Sequence, residues 1–198
     1  MLPRIRPMRL RQVAKPFDDP DCIFELKHDG WRAVAYIDSG VSKLLSRNLK
    51  GLRFDSLQTA LCKLPARDAI LDGEIVSLDQ HGVSQFNSLL SVEGRSVATF
   101  YAFDLLWLDG EDLRNQPLVE RKLRLERLIR GVHRVIFAQH IEEFGIKFFE
   151  EICRSDLEGI AAKRKMSTYK DDGKGWLKIK NPAYSQAEGR HELLTRKK

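Results

Sequence analysis

The chain has 198 residues, of which 42% are hydrophobic, so it can bury a sizeable core, and wholesale disorder is excluded. The formal net charge of +6 is compatible with a polyanionic partner such as nucleic acid, and equally with an ordinary solvated surface. Three widely separated cysteines exclude a disulfide framework, and no apolar run approaches the roughly 18–20 residues that span a membrane. We therefore expect a cytoplasmic protein without a membrane partner.

Short apolar runs along the chain predict strands, and two- to four-residue turn signals such as Asp38-Ser39-Gly40 separate them. The predicted strands are Ile23–Leu26, Ala33–Ile37, Val41–Leu45, Ala69–Val76, Val97–Leu106, Val135–Ala138, Gly159–Lys163 and Trp176–Ile179. Helical spacing of apolar residues predicts helices over Phe54–Leu64, Leu118–Ile129 and Gly145–Arg154. This irregular mixture predicts an α+β fold with mainly antiparallel sheets flanked by helices.

Arginines and lysines concentrate near both ends of the chain, at Arg4, Arg6, Arg9 and Arg11 and again at Arg196–Lys198. No apolar stretch follows the first group, so it is not a secretory signal. Both groups are compatible with a nucleic-acid contact, and both are equally compatible with frayed tails.

A lysine at the end of the first predicted strand is the first candidate for chemistry. Glu25 and Lys27 share one face of the strand by its two-residue period, and the Asp29-Gly30 turn follows directly. A lysine in this position can meet a phosphate at close range or act as a nucleophile. Taken alone, the same tetrapeptide is also explained as a strand turn with a surface lysine.

Four later strands carry further candidate side chains. Asp72 and Glu74 share a face of an apolar strand, and such carboxylates require a cation, a metal or hydroxyl partners unless the strand is exposed. Phe103 is suited either to stacking on a base or to plain core packing. Glu158 is a candidate Mg²⁺ ligand at a strand start, and Lys178 and Lys180 together form a candidate anion site on a strand that is otherwise amphipathic.

The joint occurrence of these motifs, in this order, resembles the covalent nucleotidyltransferase superfamily of ATP-dependent DNA ligases, RNA ligases and mRNA capping enzymes. The resemblance covers about Pro16 to Asn181 and rests on Lys27-His28-Asp29-Gly30-Trp31-Arg32, Ser46-Arg47-Asn48, Asp72-Gly73-Glu74, Phe103-Asp104, Glu158-Gly159 and Lys178-Ile179-Lys180. Within the superfamily, the segments Phe103–Gly110 and Glu158–Arg164 look like the DNA-ligase versions, and Asn181–Gln186 resembles the ligase domain of bacterial end-joining ligases.

The resemblance implies an ATP-grasp-like nucleotidyltransferase fold, ATP and Mg²⁺ as cofactors, and nicked duplex DNA as the partner. It also implies a role for each matching residue. Lys27 takes AMP, Lys178 and Lys180 neutralise the α-phosphate, and Asp29 and Glu158 hold Mg²⁺ or position the nucleophile. Glu74 accepts hydrogen bonds from ribose, Phe103 stacks on adenine, Arg32 contacts ribose or phosphate, Glu25 contacts the adenine edge, and Arg47 holds the DNA 5′-phosphate.

The chain departs from the ligase pattern after the last motif. Only 18 residues follow Lys180, too few for the oligonucleotide-binding (OB-fold) barrel that accompanies this domain in ligases. We therefore expect residues 1–198 to be a single adenylation domain with its core at about 16–181, without a C-terminal OB-fold domain. Such a domain is either an excised piece or a stand-alone protein, and a partner protein or the missing domain would assist it in sealing nicks.

Two other classes of function remain open on the sequence alone. An RNA ligase or a GTP-using capping enzyme would keep the same lysine chemistry. A degenerate domain that binds nucleotide or DNA ends without catalysis would keep the fold, although every motif residue that catalysis requires is present in this chain.

Overall fold

Two β-sheets form the frame of the chain in the computed structural model, which describes residues 2–80, 82–170 and 175–187. In chain order the strands are β1 Arg11–Gln12, β2 Asp19–Leu26, β3 Trp31–Asp38, β4 Val41–Ser46, β5 Gly51–Leu52, β6 Asp68–Val76, β7 Thr99–Leu108, β8 Glu111–Asp112, β9 Val135–Phe137, β10 His140–Glu143, β11 Gly159–Arg164 and β12 Trp176–Lys180. The α-helices are α1 Asp55–Leu61, α2 Val92–Ser96, α3 Leu118–Ile129 and α4 Gly145–Arg154, and single 3-10 turns cover Phe86–Leu90 and Ser185–Ala187.

The strands pair mostly in antiparallel fashion. Sheet A has five strands in the order β1-β12-β11-β2-β10, and sheet B has seven, in the order β5-β4-β3-β6-β7-β8 with β9 added beside β7. Only the short pairings of β1 with β12 and of β9 with β7 are parallel among the described residues. The prediction of an α+β fold built from mainly antiparallel sheets is confirmed.

Three apolar clusters show how the layers pack. One cluster lies on the outer face of sheet B and includes Leu57 of α1 and Leu125 of α3. A second lies on the outer face of sheet A, where Phe24 and Ile160 meet Ile152 of α4. The third lies between the sheets, and the candidate functional residues are concentrated along this inner layer. The alternation of side chains along each strand therefore decides whether a residue reaches the site.

The long apolar patterns predicted the main elements well. Each predicted strand is present, and the helices over Leu118–Ile129 and Gly145–Arg154 have the predicted bounds. The two-residue strands β1, β5 and β8, the charged strand β10 and the short helix α2 were not predicted, because segments this short or this polar carry no periodic signal.

No helix among the described residues is long and apolar enough to cross a membrane.

The N-terminal segment is packed against the sheets, so the alternative that Arg4–Arg11 form a frayed tail was wrong. Ile5 and Met8 are buried in the inner layer at 4% and 3% exposure. Their backbone N–H groups donate to the hydroxyls of Tyr36 and Tyr169, both at 2.9 Å. The second basic group, Arg196–Lys198, lies outside the described residues.

A fully buried ion pair ties helix α3 to strand β7. Arg121 donates from Nε and Nη2 to the two carboxylate oxygens of Asp104 at 2.7 and 2.8 Å, and neither side chain is exposed. Its Nη1 also donates to the carbonyl oxygen of Ser167 at 3.0 Å. An ion pair at this depth is costly to form, but removing one partner leaves an uncompensated buried charge.

We expect Arg121→Met to lower the free energy of unfolding by about 3–5 kcal/mol, because Asp104 keeps its buried charge without a partner. Urea unfolding monitored by circular dichroism measures this change. The double variant Arg121→Met/Asp104→Leu removes both charges and should recover most of the loss. A single variant as stable as the wild type would contradict the importance assigned to this pair.

Candidate active site

Lys27 lies immediately after β2, at the edge of the inner layer. Its backbone N–H donates to the carbonyl oxygen of Gly159 at 2.9 Å, which holds the end of β2 against β11. Its side chain is 24% exposed, and Nζ lies 2.6 Å from Oε2 of Glu158, which is 7% exposed. The predicted nucleophile and one predicted metal ligand are thus in direct contact, in a position that a ligand can reach.

Backbone contacts fix the turn that follows Lys27. A Cβ atom on Gly30 would lie 2.1 Å from the carbonyl oxygen of Ile75, so only glycine permits the approach of this turn to β6. Asp29 is 4% exposed, and the Tyr184 hydroxyl donates to its Oδ2 at 3.0 Å. Glu158 therefore contacts Lys27 directly, Asp29 lies two residues beyond it in the turn, and the metal role of both carboxylates stays a prediction.

Strand β6 brings the next two carboxylates to the inner layer. This strand runs between β3 and β7, so the alternative that it is a solvent-facing edge strand was wrong. Asp72 is fully buried and accepts from Nε and Nη2 of Arg32 at 2.7 and 2.6 Å, and from the Tyr169 hydroxyl. Asp72 thus has the cation and hydroxyl partners that its burial requires.

Glu74 is half-buried on the same face of β6 and has a different environment. Burial raises its pKa to about 7, against the opposing attraction of Lys27 and Arg32. The close approach of Gly30 to Ile75 brings the turn after Lys27, at the end of sheet A, beside the Glu74 segment of sheet B. The two sheets therefore present their polar groups to one cleft.

Phe103 lies at a β-bulge of β7, because Asp72 and Gly73 of β6 pair with the residues on either side of it. Its side chain belongs to the apolar cluster of the inner layer. The ring packs edge-on against Trp176, and the guanidinium carbon of Arg32 lies 4.5 Å from its centroid. Nζ of Lys163 lies 4.2 Å from the same centroid. The ring is thus surrounded by cations and aromatic groups, and its stacking on adenine stays a prediction.

Glu25 is buried at 2% exposure, on the face of β2 opposite to Phe24, as the alternation predicted. Both of its carboxylate oxygens have cationic partners, because Lys122 of α3 approaches Oε1 at 2.6 Å and Lys163 of β11 donates to Oε2. Burial alone would raise the pKa of Glu25, but the two lysines lower it. The predicted contact of Glu25 with the adenine edge stays a prediction.

Lys163 was given no role from the sequence, where it appears only as the last residue of the predicted strand Gly159–Lys163. The side chain is 2% exposed, and Nζ lies 3.9 Å from the centroid of Trp176. Burial lowers the pKa of Lys163 to about 8, against the attraction of Glu25. The alternation of β11 did place Lys163 opposite to the apolar Ala162, which is the one signal in the sequence that could have identified it.

His28 is a second residue that the sequence left without a role. Its ring stacks on Tyr101 of β7 with centroids 4.0 Å apart. Burial lowers the pKa of His28 to about 4, so the imidazole is neutral at pH 7. The residue between the lysine and the aspartate of the turn therefore packs the turn against sheet B.

Lys178 and Lys180 are on the predicted face of β12, since Leu177 and Ile179 pack on the outer cluster of sheet A. Burial lowers the pKa of Lys178, and repulsion from Lys180, from Lys27 and, more weakly, from Arg47 adds to the effect. Arg47 itself is exposed in the loop after β4. Four cations thus act on one region of the cleft.

No cluster of three or more histidine, cysteine, aspartate or glutamate side chains that could hold a metal occurs in residues 2–80, 82–170 and 175–187. Glu158, in contact with Lys27, and Asp29, in the turn that follows it, do supply two carboxylates. Mg²⁺ commonly binds through one or two carboxylates together with substrate phosphates. The donor set therefore fits an ion that arrives with a triphosphate.

Comparison with known proteins gives a consistent family. The family described as "ATP dependent DNA ligase domain" matches residues 2–180. A DNA ligase of Pyrobaculum islandicum is 33% identical over 178 residues, which covers 80% of this chain and 30% of that protein. The multifunctional non-homologous end joining protein LigD of Pseudomonas aeruginosa is 36% identical over 165 residues, covering 79% of this chain and 20% of that protein. The chain thus spans less than a third of the length of these relatives.

Solved structures agree with this family. A mycobacterial DNA ligase D complexed with ATP and MES superimposes with a TM-score of 0.75 at 29% identity, covering 88% of this chain and 60% of that one. The ligase domain of LigD from M. tuberculosis also gives 0.75, at 28% identity, with coverage of 88% and 59%. The predicted nucleotidyltransferase fold of ligase adenylation domains is confirmed.

The raised pKa of Glu74 predicts a pH-dependent effect of Glu74→Gln on stability. The folded state holds this proton more tightly than the unfolded state, so raising the pH from about 4.5 through about 7 costs the wild type stability that glutamine does not lose. The variant should therefore be more stable relative to wild type at pH 8 than at pH 5. Urea unfolding at both pH values measures this, and an equal difference at both would contradict the assigned environment.

Proposed function

Because the chain belongs to the ATP-dependent DNA ligase domain family, we propose that residues 1–198 act as an adenylation domain in which Lys27 takes AMP from ATP and delivers it to a DNA 5′-phosphate. The observation that carries the proposal is the contact of 2.6 Å between Lys27 Nζ and Glu158 Oε2 in a cleft that also holds Lys178. The family match to DNA ligases favours a DNA end as acceptor over an RNA ligase or capping reaction.

In the first step, Lys27 Nζ attacks the α-phosphorus of ATP. A nitrogen–phosphorus bond forms, the bond from the α-phosphorus to the bridging oxygen breaks, and pyrophosphate leaves with the electron pair. Nζ must give up a proton before its lone pair can attack, and Glu158 is the carboxylate in contact with it. Lys178 and Lys180 neutralise the charge that develops on the phosphate oxygens.

The inner layer supplies the nucleotide contacts. Glu74, as a carboxylate, accepts hydrogen bonds from the ribose hydroxyls, and Phe103 packs against adenine. Arg32 reaches ribose or phosphate with the N–H groups that Asp72 leaves free, since Asp72 uses only Nε and Nη2. Glu25 acts on the adenine site through Lys163, whose ammonium it holds beside the Phe103 ring.

A Mg²⁺ ion bound by Asp29 and Glu158 would neutralise phosphate charge during the reaction. Two carboxylates beside the nucleophile, one of them already in contact with it, support this assignment. Glu158 would then serve both the ion and Lys27. The protein residues then keep the lysine and the α-phosphate aligned within the same cleft.

The DNA steps use the same residues. A 5′-phosphate oxygen attacks the phosphorus of the lysine-bound AMP and releases Lys27, and a 3′-hydroxyl then attacks the DNA phosphorus and expels AMP. Arg47 holds the 5′-phosphate, because a planar fork of donors suits phosphate better than an ammonium does. A second domain or a partner protein completes the grip on the duplex, which is consistent with the small share of the relatives' length that this chain matches.

We expect ATP and Mg²⁺ to convert the protein to a covalent AMP adduct that Lys27→Ala and Lys27→Arg both abolish. Alanine lacks the nucleophile, and a guanidinium stays protonated and cannot attack. Intact-mass spectrometry measures the adduct, and Lys147→Ala, at an exposed lysine of α4, is the matched control. An undiminished adduct in Lys27→Ala would remove the central claim.

We expect Glu158→Gln and Lys178→Ala to slow adduct formation by about 10²–10³-fold, since each removes a charge that acts at the reacting phosphate. The time course of adduct formation by intact mass gives the rate. Unfolding curves that match the wild type would show that both variants keep the fold. If both variants form the adduct at the wild-type rate, the assignment of this cleft is wrong.

A further inference from the structure

A basic cavity lies between the N-terminal segment and the loop after β4. It has a volume of about 490 Å³ and is lined by Arg6, Pro7, Arg9, Arg47, Asn48 and Leu49. Three of these side chains are cationic, and none is a carboxylate. The volume is many times the roughly 30 Å³ share of one water molecule, so the cavity can admit phosphate groups with part of their sugars.

The structure fixes both walls of this cavity. The hydrogen bonds of Ile5 and Met8 to two tyrosine hydroxyls hold the N-terminal segment in place, so that Arg6 and Arg9 remain exposed. The opposite wall is a tight loop in which the backbone N–H of Leu49 donates to the carbonyl oxygen of Ser46 at 2.8 Å. Arg4 joins the walls, because its Nη2 donates to the carbonyl oxygen of Leu49 at 3.2 Å.

The cavity adjoins the cleft of Lys27 through the end of β4. Arg47 lines the cavity, and Ser46 before it pairs with Ala33 of β3, next to Arg32. An anionic chain that places one phosphate at Arg47 therefore meets Arg6 and Arg9 with its neighbouring phosphates. A polyanion with regularly spaced phosphates matches this arrangement better than a single anion does.

We propose that Arg6 and Arg9 form a second phosphate-binding wall, which holds backbone phosphates of the DNA strand next to the 5′-phosphate at Arg47. This inference rests on the proposed function and extends it, since it assigns DNA binding to the N-terminal segment. The two arginines contact phosphate groups and carry no base information. They contribute to affinity for duplex DNA whether or not a 5′-phosphate is present, whereas Arg47 distinguishes a phosphorylated nick from an unphosphorylated one.

The test is a titration of nicked duplex DNA at several salt concentrations with the full chain. We expect Arg6→Ala/Arg9→Ala to weaken binding equally to nicks that carry a 5′-phosphate and nicks that carry a 5′-hydroxyl. The slope of log affinity against log salt should become shallower by about 0.9 for each phosphate that the variant no longer neutralises. Arg6→Lys/Arg9→Lys keeps both charges and should retain most of the slope. The matched control, Arg127→Ala/Arg130→Ala, removes two exposed arginines at the C-terminal end of α3 and should leave the slope unchanged.

Adduct formation with ATP separates this inference from the proposed function. If the cavity instead receives the β- and γ-phosphates of ATP, Arg6→Ala/Arg9→Ala will slow formation of the AMP adduct and leave the DNA slope as it was. That result overturns the inference. So does an unchanged slope with unchanged adduct formation, and so does a wild type that does not bind DNA. If the wild type forms no adduct but Arg6→Ala/Arg9→Ala makes the DNA slope shallower as expected, the result contradicts the proposed chemistry alone and supports the phosphate-binding wall.

Discussion

The pairing of charges inside the layer between the two sheets is the constraint on which the rest of the structure depends. Glu25 is 2% exposed and lies between Lys122 and Lys163, which belong to different elements of the fold. An unpaired charge at this depth would cost several kcal/mol, so helix α3 and strand β11 can take up only positions that bring both lysines to the carboxylate. The same requirement holds for Asp72 with Arg32. Helix α3 also holds strand β7 of sheet B through the Arg121–Asp104 pair, so the Lys122–Glu25 pair links sheet B to sheet A.

Among the lysines paired with carboxylates in and around this layer, Lys27 differs from the deep ones in the exposure of its side chain. Lys27 has 24% of its side chain exposed, whereas each of the deeper lysines, Lys122 and Lys163, has 2%. Water or an incoming phosphate can reach Lys27 more readily than it can reach the deep lysines, because about a quarter of the Lys27 side chain is exposed to solvent. The fold therefore separates the deep lysines, which hold the layer together, from the more exposed lysine that is proposed to react.

The two-residue period of the strands explains which parts of the site could be predicted. It placed Lys178 opposite to the apolar Leu177 and Ile179, and it placed Glu74 on the same face as Asp72, before any tertiary contact was known. It could not identify partners, because Lys122 lies 97 residues from Glu25 along the chain. For the same reason a frayed tail could not be excluded for the arginines near the N-terminus, because the tyrosine hydroxyls that fix this segment come from β3 and from Tyr169.

The position of Arg32 limits how a nucleotide can use it. Asp72 is fully buried and takes bidentate hydrogen bonds from Nε and Nη2, so moving Arg32 onto a phosphate would leave that carboxylate with the Tyr169 hydroxyl as its remaining partner in the described structure. Breaking a buried pair in this way costs about 3–5 kcal/mol, more than a new charge-assisted hydrogen bond of about 1.5–3 kcal/mol returns. Arg32 therefore keeps Asp72 and offers a ligand only its remaining N–H groups. Because its guanidinium also lies 4.5 Å from the Phe103 centroid, the pair fixes the ring that is proposed to receive adenine.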